Sequence, residues 1–341
     1  MSIKDFTANV ISASKIVPDN NYITSAASGV WSLSEAFDLT KGGNWPNAAN
    51  LAPVYALHWR SSVVERINIV STGNATSFGS FYANRTGGAA FGNSTRAYYG
   101  NGSSYVTHID TITYASGGNA TDYGNANVGR YKPCGGANDT RGLMAGGLDN
   151  SATATNNIQY GALNSTGSFS NFGNLGSTRE SPSMATSTTK ALIMGGTGDE
   201  NPFYRNTTET ITIASTGNGS NFGNLSGFSA NSSDGGLSSS TRTVISIGNR
   251  SGVGNTNIMD YYTTNSSGSA TDFGDLTVAR QAAGASSKIR GLFINGAYSG
   301  GNSNTIDYIT IATTGNASDF GDSVSDSSLT GATSADHGGL A

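Results

Sequence analysis

Hydrophobic and polar residues alternate along Thr305-Ile306-Asp307-Tyr308-Ile309-Thr310-Ile311, the pattern of a strand with one buried face. A Thr314-Gly315-Asn316 turn follows, and the chain leaves through Asp319-Phe320-Gly321. The aromatic-glycine pair recurs at Phe78-Gly79, Tyr123-Gly124, Phe172-Gly173, Phe222-Gly223, Phe273-Gly274 and Phe320-Gly321, at steps of 45, 49, 50, 51 and 47 residues. A period near fifty points to propeller blades or another repeat array. Other positions keep register with the ring. Thirteen residues before it stands an acid or amide: Glu65, Asp110, Gln159, Glu209, Asp260 and Asp307. Seven residues after it stands Arg85, Arg130, Arg179 or Arg280, with Ser229 and Ser327 in the other two copies. A second basic residue follows 17 to 20 residues after the ring: Arg96, Arg141, Lys190, Arg242, Arg290 and, in the last copy, His337.

Each copy also carries a Gly/Ala/Ser-rich strand and an apolar strand ending in glycine, as in Ala191-Leu192-Ile193-Met194-Gly195-Gly196. With the alternating strand, and the arginine segment counted as a fourth, each copy holds the content of one propeller blade. The pattern predicts an all-β, six-bladed propeller over residues 51–341; seven blades is the alternative. After Phe320-Gly321 the run Leu329 to Ser334 parallels Gln281 to Ser286, whereas the first copy has no inner strand before Pro53. The C-terminal strand is therefore expected to complete the first blade and seal the ring, removing exposed sheet edges.

Residues 1–50 lack the repeat. Gly29 to Leu39 reads as a short helix, with Ser32 and Glu35 at capping-box spacing and Gly42-Gly43 as the stop. Trp31, Phe37 and Trp45 are a large apolar allotment for so short a piece, so an arm that packs on a partner is expected.

Composition narrows the picture. Charged residues are 12% of the chain, about half the roughly 25% usual in soluble domains, and the 47 glycines suit dense turns. Periodic aromatics, 15 Tyr and 13 Phe, argue against disorder. A net charge of −4 argues against a nucleic-acid partner, which calls for a basic face. No run of 18 apolar residues is present, so no membrane insertion is expected, and Met1 to Val10 lacks a signal pattern. The lone Cys134 cannot form an intrachain disulfide.

The repeat resembles the kelch type of propeller. The matching features are Gly146-Gly147 and Gly195-Gly196 after the second strand, the acid in the third, and Leu276-Thr277-Val278-Ala279-Arg280 as a closing segment. An aromatic-glycine pair stands where kelch repeats carry tryptophan. Gly29 to Leu33 through Asn44-Trp45-Pro46, and the Thr-Gly-Asn-Ala-Ser/Thr-Asp-Phe-Gly repeats, are similar to virion proteins of tailed bacteriophages, marine and cyanobacterial phages especially. The resemblance implies a virion component assembled in the host cytoplasm. Its place would be a capsid decoration, tail part or fibre, held to other virion proteins through residues 1–50.

Candidate chemistry is sparse. Asp272-Phe273-Gly274 and Asp319-Phe320-Gly321 spell the kinase magnesium motif without its companions, so the ring reads as a blade anchor. Asn74, Asn119, Asn218 and Asn316 begin Asn-x-Ser/Thr triplets that fall in the turns and read as turn chemistry rather than glycosylation. The repeated acids and arginines read as scaffold pairs between blades; a six-fold ligand pocket is the other reading. His58, His108 and His337 have no cysteine partner, which argues against zinc. Asp199-Glu200-Asn201 and Asp322 to Asp326 are oxygen-rich enough for calcium. Tyr98, Tyr99, Tyr105, Phe203, Tyr204 and Tyr298 suit either carbohydrate or protein contact or blade packing. The expectation is a non-enzymatic virion structural protein with no cofactor, its oligomeric state open. A tail-associated adhesin for a host surface glycan is the alternative, and a polysaccharide-degrading enzyme the more distant one.

Overall fold

The structure is a computed structural model that describes residues 53–200, 203–231 and 234–340. Two compact units divide the chain, Met1–Pro53 and Val54–Ala341. The 1–50 arm, its Gly29 to Leu39 helix and Trp31, Phe37 and Trp45 lie outside the described residues.

The second unit is a six-bladed β-propeller of four-stranded antiparallel blades. From axis to rim, blade 3 is typical: Cys134–Ala137, Arg141–Ala145, Asn157–Ala162 and Ser170–Asn174. Blade 2 starts at the axis with Ala89–Gly92, blade 4 with Ser183–Thr186, blade 5 with Gly236–Ser238 and blade 6 with Gln281–Ser286. Successive inner strands pack against one another all the way around. The inner strands are rich in Gly, Ala and Ser because six strands converging on one axis leave little room for larger side chains.

Blade 1 is built from two distant parts of the chain. Tyr55–Arg60, Val63–Asn68 and Thr76–Ser80 supply its outer three strands. Gly331–Ser334 supplies the innermost, antiparallel to the first, with Ala56 opposite Ser334 and Trp59 opposite Gly331. The fourth strand of each blade is the aromatic-glycine segment itself, as in Thr271–Asp275. The arginine expected there stands instead in the crossover to the next blade. The acid thirteen residues back pairs near the residue before the ring, which makes that segment the outer ladder.

The core is divided by seam. Leu143, Ile158 and Phe172 of blade 3 meet Ala191, Ile193, Ile211 and Ile213 of blade 4. Leu192, Met194 and Phe222 of blade 4 meet Ile245, Ile247 and Tyr262 of blade 5. Ile294, Ile306 and Phe320 of blade 6 meet Ala56, Ile67 and Ile69 of blade 1. Each such Leu, Ile, Met or Phe contributes about 1.5–3 kcal/mol on burial, so every seam is a small core of its own.

A second system of contacts runs around the rim. The amide of the turn glycine donates to the carbonyl of the ring residue one blade back: Gly217 to Phe172 at 2.9 Å, Gly268 to Phe222 at 2.8 Å, Gly315 to Phe273 at 2.8 Å and Gly73 to Phe320 at 2.9 Å. The turn asparagine closes the same seam. Asn74, Asn218 and Asn316 accept the amides of Asp322, Asn174 and Asp275 at 2.9 to 3.0 Å. These contacts explain the glycine after each ring. A Cβ on Gly223 would lie 1.7 Å from the Gly268 carbonyl oxygen, and one on Gly173 2.1 Å from that of Gly217. The outer edge of each blade is thus covered by its neighbour's turn, which removes a template for edge pairing.

Candidate functional site

The inner strands all begin on one face of the ring, called here the front, where the crossovers and the variable loops also lie. The repeated acids stand just below it, all of them buried. Each holds down the crossover that arrives from the preceding blade. Glu209 accepts the Gly176 amide at 2.7 Å, and Asp307 accepts the Thr277 amide at 3.1 Å and its hydroxyl at 2.6 Å. Asp260 does the same with Ser226, and Glu65 accepts the Val324 amide at 2.9 Å. Gln159 binds Val128 through both amide atoms, which is why an amide serves at this position.

Three arginines complete the clamp, each reaching from its own crossover to the acid of the next blade. Arg85 pairs with Asp110 at 2.6 Å, Arg179 with Glu209 at 2.6 Å and Arg280 with Asp307 at 2.8 Å. Each guanidinium also donates to strand carbonyls, Arg280 to those of Asn295 and Phe293 for example. A fully buried charge is tolerated because it is paired and hydrogen-bonded. Arg130 has no repeat carboxylate to pair with, because Gln159 stands at that position; its Nε has no hydrogen-bond partner, and burial lowers its pKa against the opposing Asp149 charge.

Where serine replaces arginine, local substitutes appear. The Ser229 hydroxyl donates to the Ile247 carbonyl at 2.6 Å, and Asp260 has no ion pair with an arginine of its crossover; burial raises its pKa against the opposing Ser226 bonds and the Arg250 charge. Beside Ser327, His58 supplies the partner: its Nε2 lies 3.0 Å from Glu65 Oε2 and 3.2 Å from Ser323 Oγ. Burial acts to raise the Glu65 pKa, but the His58 contact and the Val324 amide outweigh it and hold the carboxyl below its usual value. Ser323, His58 and Glu65 are not a nucleophile-base-acid set. Serine and glutamate share one ring nitrogen, and all three residues are buried. His108 likewise serves Asp110, at 2.7 Å.

The second basic series lies at the back. Arg141 stacks over Tyr160 at 4.6 Å, Arg242 over Tyr261 at 4.3 Å and Arg290 over Tyr308 at 4.8 Å. Each donates to a carbonyl of the next blade's turn, those of Ile213, Ile311 and Ile69. Tyr98 and Tyr99 are buried in blade 2, and Cys134 packs as a small hydrophobe whose thiol pKa is raised by burial.

The axis departs from the repeat. At the back end of the inner strands each hydroxyl donates to the carbonyl of the equivalent residue one blade earlier. Thr186 bonds Ala137 at 2.6 Å, Ser238 bonds Thr186 at 2.7 Å, Ser286 bonds Ser238 at 2.8 Å, and Ser334 bonds Ser286. Ala137 has no hydroxyl for Gly92, and the His337 ring occupies that carbonyl at 2.8 Å. At the front end, Asp234 spans the axis. Its carboxylate oxygens accept the amides of Gly135 at 2.9 Å and Met184 at 2.7 Å, and its carbonyl accepts that of Gly284 at 3.1 Å. Four blades thus meet at one residue held at φ 56°, and burial pushes its pKa up to about 7. The cavity between these ends is about 40 Å³, room for a few waters at most.

Asp234 carries no mark in the repeat pattern. Its signal was indirect: it lies in the longest step, 51 residues, where Arg242 stands 20 rather than 17 or 18 residues after the ring.

The front face is also where exposed apolar side chains gather. Val63, Tyr82, Val128, Phe203, Phe228, Val253, Tyr298 and Val324 stand at its strand ends, loops and crossovers, whereas Ile289 stands at the back. Tyr82 is 84% exposed, Val253 68% and Phe203 54%. Asp199 of the oxygen-rich loop caps the Ala154 amide at 2.8 Å. No protein-family model matches the chain, and no curated protein matches it significantly.

Proposed function

We propose that the chain is a non-catalytic display module, a rigid ring that offers its front face to a macromolecular partner. The single observation that carries this is that eight of the nine exposed large apolar side chains among the described residues stand on the front face and one at the back. The use of the repeated carboxylates within the scaffold supports the non-enzymatic part. The resemblance of residues 29–46 and of the turn repeats to tailed-phage virion proteins supports a place on a particle, as a capsid decoration or tail component. Residues 1–50 would then attach it to other virion proteins.

A tail-associated adhesin is the second reading. Tyr82, Phe203 and Tyr298 favour it, since exposed aromatic rings among Asn and Ser suit sugar faces. A polysaccharide-degrading activity is a weaker third.

Purified phage particles analysed by mass spectrometry should contain the chain in fixed proportion to the major capsid or tail protein. A Tyr82→Ser, Phe203→Ser double variant should melt as the parent does yet lose binding to particle proteins or to host cells. Absence from particles, or binding that ignores both substitutions, would overturn the proposal. Release of reducing sugar from host polysaccharide would support the enzymatic reading instead.

A further inference from the structure

Residues 335–340 leave the inner strand of blade 1 and cross the back opening of the axial channel. The Ala335 amide donates to the Tyr55 carbonyl at 3.1 Å, and the Gly338 amide to that of Ser238 at 3.0 Å. Gly338 and Gly339 are wedged against backbone. A Cβ on Gly338 would lie 2.3 Å from the Ser239 carbonyl oxygen, and one on Gly339 2.2 Å from that of Ala137. Leu340 is buried. The segment therefore touches blades 1, 3, 4 and 5, and the His337 ring ties it to blade 2 through Gly92.

The two ring nitrogens of His337 have opposite duties. Nε2 faces a carbonyl oxygen, that of Gly92 at 2.8 Å, and must carry a proton. Nδ1 accepts the Gly339 amide at 3.1 Å and must not carry one. Both bonds exist together only in the neutral imidazole. A second proton on Nδ1 would set two donors against each other within the wedge and leave the Gly339 amide without an acceptor.

We propose that His337 is a proton-operated latch, which holds residues 335–340 across the back of the axial channel when neutral and releases them when charged. The charged groups that face it are Asp139, in the turn after the inner strand of blade 3, and Asp336 beside it; both favour the charged ring. Lys288 of blade 6 lies 3.8 Å from Asp336 and offsets part of that field. Burial opposes them more strongly and lowers the His337 pKa below 6.5. The sign follows: the folded, latched form binds fewer protons than the released form, so latching is complete above about pH 6.5 and weakens as pH falls through the folded pKa.

The test is amide exchange on the full chain between pH 7.5 and 5, expressed as protection factors to remove the intrinsic pH dependence. Protection at Gly338 should fall by up to about tenfold per pH unit from about pH 6.5 down to the lowered His337 pKa of the latched form and then level off, while the inner strands of blades 3 to 6 stay protected. The neutral variant His337→Gln should show no such fall. Gly339→Ala should lose protection at Gly338 already at pH 7.5 and still melt cooperatively. The latch is overturned by protection at Gly338 that stays flat across this range in the parent, by a fall that persists in His337→Gln, or by inner strands that lose protection in step with Gly338.

Discussion

At the scale of single residues, the glycine after each ring separates two causes that usually coincide. Gly173 has both a positive φ and a close neighbour, whereas Gly223 has only the close neighbour, the Gly268 carbonyl. Gly223→Ala should therefore cost about 1–3 kcal/mol through overpacking alone. Gly167→Ala, with open space around its Cβ, should stay within about 0.5 kcal/mol. Urea melts of the two variants make the comparison. Two carboxyls give opposite pH slopes. Glu65, with its lowered pKa, contributes stability above about pH 4.5 that is lost as pH falls through its folded pKa. Asp234, raised to about 7, binds more protons folded than unfolded, so the parent loses stability as pH rises from about 4 to 7. The stability of Asp234→Asn minus that of the parent should thus climb across this window; a difference independent of pH would show that the carboxyl does not titrate there.

At the scale of elements, the clamp on each crossover is the unit that repeats, not the blade alone. Arg280 is fully buried, paired with Asp307 and bonded to strand carbonyls, so Arg280→Met should cost about 3–5 kcal/mol by stranding the carboxylate. Arg130→Met strands no carboxylate, because Gln159 satisfies itself on Val128, and should cost about 1–2 kcal/mol. Equal losses in thermal melts would mean that the guanidinium works through packing and not through its pair. The members of this clamp were legible in the sequence as two positions in strict register. Their partnership was not: arginine and acid of the same copy stand on successive seams, so Arg130 and Asp110 never meet. The partner lies one copy further on, a fact set by the direction in which the crossover leaves the blade. The aromatic-glycine segment was readable as an anchor but not as a strand, since its alternation is broken by the glycine that the neighbouring turn requires.

At the scale of the whole molecule, the ring was the most legible feature, because six rings, with five acids and one amide in register, at a near-constant step leave few architectures open. What broke the repeat was hardest to read. Asp234 and the wedge at Gly338-Gly339 gain meaning only from strands that converge on the axis. The front-face side chains, too, are scattered from Val63 to Val324 in the sequence and come to share one face only through the propeller topology. Removing residues 327–341 takes away the inner strand of blade 1 and its share of two seams. It should lower the melting temperature steeply or abolish the cooperative transition, and a truncated chain that melts like the parent would refute the two-part blade. That blade has a mechanical corollary. Residues 54 and 335 leave it at the same end of the antiparallel pair, where Ala56 faces Ser334. Tension applied between them would peel the pair bond by bond, like a zip, and would not load it in shear. A ring that resists heat through six cooperating seams would then carry one weak fuse under force, and it would open at that fuse first.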